Sequence, residues 1–433
     1  MRIDIVNSSG IITGDGKTVL ENTSMIIKDC FIDDLPRVSY IPYNAYADKV
    51  IDAKGGYVIP GIINIHAHGV CFGPFFPYPW PPLSMMRLLS NLNNHLLQGT
   101  TTLLNNDGFS LPAEVEAINK LSPINIKTCT LHTPKNICAA EVTIGHRIEK
   151  LNRRFNAEDA VAEGAVAVGE VGSPGTSYGT YEKSMKIGKV IHGQQAKALD
   201  NAVISGDEAA IRKALNALGL EKMTISEGKK LVEETTLRPV EACCDAIRES
   251  VSYVRKLGVP VIAHAEPGTR QALLDAAKEL GPKLIAVHLN HFFTPKESIR
   301  LAKELKKLSA IVEVITADFF SSRQVEVSPE ATFAMLKEGL VDVITTDYSA
   351  GYHGPILFFL QKAIKEGIIT LPRAIQLVTS APARIVPLVA PNKGLFELGQ
   401  VADLCIVDRD DISKVNCVII AGRVVVEDGK IIV

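Results

Sequence analysis

The sequence lacks several features that define whole classes of protein. Its 433 residues contain no run of lysine or arginine, and the formal net charge is −2, so neither nucleic acid nor an anionic membrane surface is an expected partner. No apolar stretch approaches the roughly 20 residues that a membrane-spanning helix needs. The first residues contain neither the long apolar core nor the small-residue cleavage site of a secretory signal. We therefore expect a cytoplasmic protein that is not bound to a membrane.

The eight cysteines also lack the spacing of a recognisable site. None belongs to a CxxC pair, and in a long chain without a secretory signal such scattered cysteines are typical of reduced thiols that pack as small apolar side chains. Cys243 and Cys244 are adjacent in a predicted helix, where neighbouring side chains do not face each other. We expect neither a disulfide nor a metal site at this pair.

From residue 58 onward, apolar segments with strand character alternate with amphipathic segments. The apolar segments are rich in Val, Ile, Leu or Thr and are bounded by Gly, Pro, Asn or Asp, which predicts strands. This alternation implies right-handed crossovers and a parallel sheet. Eight repeats predict an α/β protein whose strands close into a (β/α)8 TIM barrel, with its active site at the carboxyl ends of the strands. The predicted strands are residues 58–65, 100–105, 124–131, 165–171, 259–264, 284–288, 311–316 and 341–346. The clearest amphipathic segments are residues 83–97, 269–280, 296–308 and 329–337.

Both ends of the chain depart from this alternation. Residues 1–54 and 402–433 have the pattern of short strands joined by turns. We predict that residues 1–57 together with 384–433 form a small composite β-sandwich domain beside a barrel formed by residues 58–383.

A long connection of about eighty residues separates the fourth and fifth predicted strands. Connections of this length usually carry an inserted substructure, and we predict a helical insertion at about residues 174–257. Its helical segments are predicted at residues 185–203, 207–218 and 226–257, with Pro239 at a first-turn position or at a kink. Part of this insertion is expected to form a lid or an oligomer contact.

Side chains that can ligate a metal lie at or just past the ends of five predicted strands. The first strand ends in an HxH pair, and strand side chains at this spacing point to the same face, where neutral imidazole is a good ligand for a divalent metal. A charge at the end of an otherwise apolar strand is costly unless it has a partner. Barrel topology brings all these ends to one mouth, which predicts a metal site there. The predicted ligands are His66, His68, Glu170, His264, His288 and Asp347.

Other residues near the predicted mouth are candidates for substrate contacts. Residues 71–82 contain four Phe or Tyr residues, the sole tryptophan and five prolines. This segment is either a stiff apolar wall over the active site, with Phe76 and Trp80 as its contacts, or a loop packed against its own barrel or a neighbouring subunit. His132 follows the third strand and binds substrate or makes a loop hydrogen bond. His291 contacts substrate or replaces His288 as the ligand, and Arg323 is a candidate for holding a substrate carboxylate.

The constellation resembles the amidohydrolase superfamily of metal-dependent hydrolases over nearly the whole chain. The segment leading into the first strand, residues 50–61, and the closing segments, residues 380–384 and 394–404, look like the corresponding parts of that family. Many binuclear members use a carbamylated lysine on the fourth strand, but here no lysine occurs between Arg154 and Lys183. A glutamate at this place, in residues 169–172, is similar to enamidase and less closely to adenine deaminase. One departure is Asn64, which stands where the family usually has aspartate and can still orient a ligand by hydrogen bonding.

The resemblance implies a role for each ligand. His66 and His68 would bind the more buried of two divalent ions, while His264 and His288 would bind the second. Glu170 would bridge them. Asp347 would bind the buried ion and act as the catalytic residue that accepts a proton from the attacking water. Zinc suits this mixed His and carboxylate ligation, with iron, manganese or cobalt as alternatives.

The function implied is metal-dependent hydrolysis of a C–N bond in a small, cyclic amide, enamide or imide. One alternative is deamination of an aminoheterocycle of the adenine type. An alternative of another class is a non-catalytic assembly protein on the same fold, although such relatives typically lose metal ligands. The expected partners are a small-molecule substrate and further copies of the chain, in a homo-oligomer of two to four subunits.

Overall fold

Eight parallel strands form the centre of the molecule, and their hydrogen bonds follow chain order from the first strand to the eighth. The computed structural model describes residues 1–37, 46–76, 80–173, 179–316, 328–348 and 354–432. Backbone hydrogen bonds close the sheet, because Asp347 N donates to His66 O at 3.0 Å and His68 N donates to Tyr348 O at 2.7 Å. The predicted (β/α)8 barrel is confirmed. Its strands are Ile62–Ala67, Thr100–Asn105, Asn125–Thr130, Ala167–Val171, Val261–His264, Leu284–Val287, Ile311–Ile315 and Val343–Thr345.

The first predicted strand, residues 58–65, is wrong as a single element. The structure divides it into Tyr57–Pro60, which belongs to a flanking sheet, and Ile62–Ala67, which belongs to the barrel. Gly61 marks the change: its N–H donates to Asp403 O, whereas the N–H of the next residue, Ile62, donates to Gly99 O. A side chain at Gly61 would meet Thr101 Oγ1 at 2.3 Å, so only glycine fits where the chain passes from one sheet to the other.

Helices surround the barrel, and sequence signals mark their ends. For example, residues 296–308 are predicted as a helix, and the structure places it at Pro295–Lys307. Thr294 caps its first turn, and the Glu297 side chain completes a capping box. Leu301, Ala302 and Leu305 are buried on its inner face, at the spacing that a helix packed on a sheet requires. The described helices outside the insertion are Met85–Leu97, Pro112–Asn119, Pro134–Ile144, Lys150–Arg154, Ala157–Ala162, Arg270–Leu280, Pro295–Lys307, Ser328–Lys337, Ile356–Lys365, Leu371–Gln376 and Ser380–Ile385, with a 3₁₀ turn at Gly281–Lys283.

Strands from both ends of the chain form a β domain beside the barrel. Tyr57–Pro60 pairs antiparallel with Leu404–Val407 from the C-terminal part, with Ile59 opposite Cys405. Apolar side chains from the two ends also share one buried cluster. In the described residues, one sheet has four strands, in the order Phe31–Asp34, Met25–Lys28, Arg2–Val6 and Lys49–Asp52. The other has seven, in the order Lys430–Ile431, Arg423–Glu427, Val415–Ile420, Leu404–Val407, Tyr57–Pro60, Gly10–Ile12 and Val19–Leu20.

The connection between the fourth and fifth barrel strands is helical, and it has its own apolar core. The single helix predicted at residues 185–203 is wrong, because one helix ends at Ile187, Gly188 takes a left-handed φ of +66°, and the next begins at Gly193. Pro239 is in the first turn of the long helix, directly after a π-helical turn. Lys183 and Asp200 form a buried ion pair at 2.8 Å within this core. The elements are Thr180–Ile187, Gly193–Ser205, Glu208–Ala217, Ile225–Val232, the π turn Glu233–Leu237, and Arg238–Leu257.

None of the helices in the described ranges combines the length and the apolar character that crossing a membrane requires. The eight cysteines all lie in described residues, and all are free thiols.

Candidate metal centre

The six side chains predicted to ligate metal lie together at the carboxyl ends of the barrel strands. Each is buried, with an exposed fraction between 0% for His66 and 7% for Asp347. His288 directly follows the sixth strand, Asp347 lies two residues past the end of the eighth strand, and their φ values are +66° and +47°. Non-glycine residues adopt this left-handed conformation at a cost that the surrounding structure must offset, and such residues cluster at functional sites.

Glu170 is the centre of this cluster. Its Oε1 faces His288 Nε2 at 2.8 Å and His264 Nε2 at 3.6 Å. Its Oε2 faces His66 Nε2 at 3.5 Å and His68 Nε2 at 3.6 Å. One carboxylate oxygen therefore faces each histidine pair, which is the arrangement of a bridging ligand.

Asp347 lies between the same two pairs. Its Oδ1 is 3.4 Å from His68 Nε2 and 3.7 Å from His66 Nε2, and its Oδ2 is 3.9 Å from His288 Nδ1. Two ligand atoms that bind one tetrahedral zinc ion at about 2.1 Å lie about 3.4 Å apart. The spacing of the cluster fits such ligation. Among the described residues, three groups have ligand atoms that all lie within 4.8 Å of one another: His66, His68 and Glu170; His66, His288 and Asp347; and Glu170, His264 and His288.

Two carboxylates that the sequence analysis missed hold the rings of the first strand. His66 Nδ1 lies 2.8 Å from Glu313 Oε1, and His68 Nδ1 lies 3.0 Å from Asp107 Oδ1. Because a carboxylate only accepts hydrogen bonds, each Nδ1 carries its proton and each Nε2 is left to ligate. Fully buried, His66 Nε2 has no hydrogen-bond partner among the described residues, as expected of a ligand atom. Glu313 is a charge in the middle of an apolar strand, a signal that was available in the sequence.

Asn64 does not contact the His66 ring. Its amide nitrogen donates to Thr346 Oγ1 at 2.7 Å, and its oxygen accepts from the backbone N–H groups of His66 at 3.3 Å and Thr346 at 3.2 Å. Asn64 therefore joins the first strand to the end of the eighth, while the carboxylate that contacts the His66 ring is that of Glu313.

The electrostatics of the cluster favour bound cations. Burial opposes the charged form of Glu170, but His66, His288 and His264 outweigh it and hold the pKa of Glu170 well below its usual range. Burial likewise opposes protonation of His68, but its hydrogen bonds to Asp107 and Glu170 raise its pKa to about 9. His264 behaves differently, because burial and then the neighbouring His288 lower its pKa well below the usual value. An anionic carboxylate surrounded by imidazoles is a donor set that suits divalent transition metals.

The aromatic residues predicted to form a wall lie against this centre. Phe76 stacks on the His68 ring, with centroids 4.5 Å apart and an interplanar angle of 15°. Trp80 lies next to Phe76 at 5.3 Å, and backbone hydrogen bonds pair it with Phe75. The backbone N–H of Phe76 donates to Asp107 Oδ1 at 2.8 Å, so the carboxylate that orients His68 also holds this loop.

The three remaining candidates differ in position. His291 is buried beside the centre, with its ring centroid 6.2 Å from that of His288. His132 contacts none of the six: its Nδ1 lies 3.0 Å from Thr130 Oγ1, and its ring packs edge-on against Phe109 and Phe155. His132 lines a separate cavity of about 490 Å³ with residues of the surrounding helices. Arg323 lies outside the described residues.

Comparison with known proteins finds a curated relative and solved structures that are similar over most or all of this chain. A curated dihydroorotase from Endomicrobium trichonymphae is 22% identical over 416 residues, which cover 88% of this chain and 86% of that protein. The β-aspartyl dipeptidase of Fervidobacterium islandicum AW-1 superposes with a TM-score of 0.59 at 16% identity, covering 100% of this chain and 98% of that chain. The L-hydantoinase (dihydropyrimidinase) of Arthrobacter aurescens superposes with a TM-score of 0.54 at 14% identity, covering 100% of this chain and 97% of that chain. At these identities, the two structures show the fold alone.

The sequence profile of the Amidohydrolase family matches residues 57–425. This range includes the whole barrel and every residue of the cluster. The finer resemblance to enamidase stays a prediction. The match extends over most of the chain, and the protein therefore belongs to the amidohydrolase family of hydrolases.

Proposed function

We propose that this protein is a metal-dependent hydrolase that cleaves a C–N bond in a small cyclic amide, enamide or imide. The observation that carries the proposal is the position of Glu170, with one carboxylate oxygen facing each of two histidine pairs. Four imidazoles around one buried carboxylate are the arrangement expected of a metal site, not of a carboxylate that only stabilises the core. The names of the dihydroorotase and the L-hydantoinase (dihydropyrimidinase) agree with a cyclic amide.

The residues present fit two divalent ions, zinc or alternatively iron, manganese or cobalt. His66 and His68 with Asp347 would hold one ion, His264 and His288 would hold the other, and Glu170 would contact both. When bound, such ions supply Lewis acidity and lower the pKa of water toward about 7. The chain supplies the buried cluster itself, in which each proposed ligand lies at or just past the carboxyl end of a barrel strand.

Asp347 is our candidate for the catalytic residue. It is the most exposed of the six ligands, and its two oxygens face different halves of the cluster. A carboxylate in this position can accept the proton of the attacking water and deliver it to the leaving nitrogen.

Phe76 and Trp80 are proposed to bind the substrate, because the stacking of Phe76 on His68 places an aromatic ring beside a proposed metal-ligating side chain. A planar ring can pack against such a face. His291 is proposed as a further contact. His132 and Arg323 stay predictions.

A substrate panel tests the proposal. The protein, loaded with zinc, manganese or cobalt, is assayed against cyclic amides and imides, aminoheterocycles and dipeptides. Ring opening, detected as the mass of one added water, is the expected result. Ammonia release without ring opening supports the deaminase alternative, and cleavage confined to dipeptides contradicts the cyclic substrate.

Metal analysis separates the enzyme from the assembly protein. We expect about two ions per chain after purification from metal-supplemented medium, in line with the ligand set. Near-zero metal in the folded wild-type protein contradicts a metal-dependent hydrolase and supports the non-catalytic alternative. Glu170→Ala is the matched variant and is expected to lose metal.

A further inference from the structure

Glu313 is a buried charge that the proposed mechanism does not use. It is the central residue of the seventh barrel strand, Ile311–Ile315, and it is 0% exposed between the buried residues Val312 and Val314. No lysine or arginine pairs with it among the described residues. A buried carboxylate is strongly unfavourable unless a nearby positive charge or several hydrogen bonds compensate it.

The contacts of Glu313 lead toward the candidate metal centre. Its Oε1 accepts a hydrogen bond from the Thr345 hydroxyl at 2.5 Å and lies 2.8 Å from His66 Nδ1. Its Oε2 has no hydrogen-bond partner among the described residues. His66 is therefore the single ionisable group that contacts this carboxylate in the described part of the chain. The opposite ring nitrogen, Nε2, faces Glu170 and Asp347 at 3.5 and 3.7 Å.

The charge of Glu313 also suits the centre. Two divalent ions bring four positive charges, whereas the carboxylates of Glu170 and Asp347 supply two negative ones. Asp107 and Glu313, each one imidazole away from the cluster, add two more. Asn64 supplies no charge, and its hydrogen bond with His66 is to the backbone N–H of that residue.

We propose that Glu313 is a positioning residue for the metal centre: it holds His66 with Nε2 toward the cluster and contributes a compensating negative charge. This inference rests on the proposed function, since it concerns the same centre. Carboxylates that accept a hydrogen bond from a ligating histidine fix its tautomer and its orientation.

The test is the metal affinity of the folded protein. Glu313→Gln keeps the size of the side chain but removes the charge, and we expect zinc affinity to fall about 10- to 100-fold, the usual effect of losing such a partner. Affinity is measured by competition with a chromophoric chelator, and cobalt absorption spectra report the geometry of the ligands. The control is Thr345→Val, which removes the other partner of Oε1 without touching His66 and is expected to leave zinc affinity nearly unchanged.

The outcomes are distinguishable. If Glu313→Gln folds and binds zinc as tightly as the wild type, with an unchanged cobalt spectrum, the inference is wrong. If only the thermal stability of the metal-free protein falls, Glu313 has a structural role and the inference is likewise wrong. Glu313→Asp, which keeps the charge but withdraws the oxygens from Nδ1 by one methylene, gives the same test should Glu313→Gln not fold. If the wild type itself binds no metal, the proposed function fails before this inference is reached.

Discussion

The two histidine pairs of the candidate centre are built differently. His66 and His68, from the first strand, each have an Nδ1 held by a buried carboxylate. His264 and His288, from the fifth strand and the loop after the sixth, have Nδ1 atoms with no hydrogen-bond partner among the described residues. Their rings lie against each other at 4.3 Å, and in the described part of the chain only Glu170 brings a carboxylate within 3.6 Å of both.

In the half formed by His66 and His68, buried carboxylates of the fold orient the rings. In the half formed by His264 and His288, the orientation of the rings depends on Glu170 and on the metal ion that Glu170 is proposed to bind. An imidazole whose second nitrogen donates a hydrogen bond is fixed in one orientation and one tautomer, which lowers the free-energy cost of binding a metal. We infer that the position beside His66 and His68 is the stronger of the two. The predictions that follow test this comparison, beginning with the largest expected effect.

Asp347→Asn is expected to have the largest effect, because Asp347 faces both halves of the centre. The amide cannot accept the proton of the attacking water, and losing a general base typically lowers the rate by about 10²- to 10⁴-fold. We expect kcat to fall in this range while the variant retains metal. Steady-state kinetics and metal analysis of the same preparation check both parts, and a near-normal kcat refutes the role.

The pH dependence of stability is expected to have opposite signs at two histidines of the metal-free protein. His68 has its pKa raised to about 9: burial opposes this, but the hydrogen bonds to Asp107 and Glu170 outweigh it. The contribution of His68 to the free energy of unfolding is therefore fully present below about pH 6.5 and is lost as the pH rises toward 9. Burial lowers the pKa of His132 to about 4, so its contribution is present above about pH 6.5 and is lost as the pH falls toward 4.

Each shift corresponds to about 3 kcal/mol of unfolding free energy. Urea unfolding of the metal-free protein from pH 4 to 9 measures both. Asp107→Asn should reduce the slope of the alkaline limb and leave the acid limb unchanged, and His132→Gln should reduce the slope of the acid limb and leave the alkaline limb unchanged. If either variant leaves its own limb unchanged, the corresponding assignment is wrong.

Chelation is expected to remove the two proposed metal ions in sequence. The ion at His264 and His288 should leave first, with an affinity about 10- to 100-fold weaker, because the Nδ1 atoms of those two rings have no hydrogen-bond partner among the described residues. Titration with a chelator, followed by metal analysis, measures the two steps. His264→Ala should retain about one ion, whereas His66→Ala should retain less, since the described ligand group at the second position consists of His264, His288 and Glu170. Equal loss in both variants contradicts the comparison.

Phe76→Ala is expected to have the smallest effect of the four. Loss of an aromatic stacking contact typically costs about 0.5–1.5 kcal/mol, so KM should rise several-fold with little change in kcat. Trp80→Ala should behave similarly but more weakly, because Trp80 reaches the centre through Phe76. Unchanged kinetics with an altered oligomeric state, measured by light scattering, would favour a subunit contact for this loop.

The barrel and its six clustered side chains could be predicted because each signal is local. A run of Val and Ile ending in His264 or Asp347 indicates a strand with a functional end, and parallel topology brings such ends together. Two segments that were each predicted as one element, residues 58–65 and 185–203, are divided in the structure, and these divisions were not predictable in the same way. The apolar run around Gly61 is continuous in sequence, and only its pairing with Asp403 and Gly99 shows where one sheet ends and the other begins.

The sequence by itself therefore determined the family, the barrel and the residue types at its mouth, because these depend on periodicity and on motifs that neighbouring residues carry. Only the tertiary structure decided the partners of those residues. Glu313 is 247 positions from His66 along the chain, and no local pattern records that pairing. His132 ends a strand as the ligands do, yet its ring packs against Phe109 and Phe155. The side on which a side chain lies depends on register and on neighbouring elements, which the folded chain alone specifies.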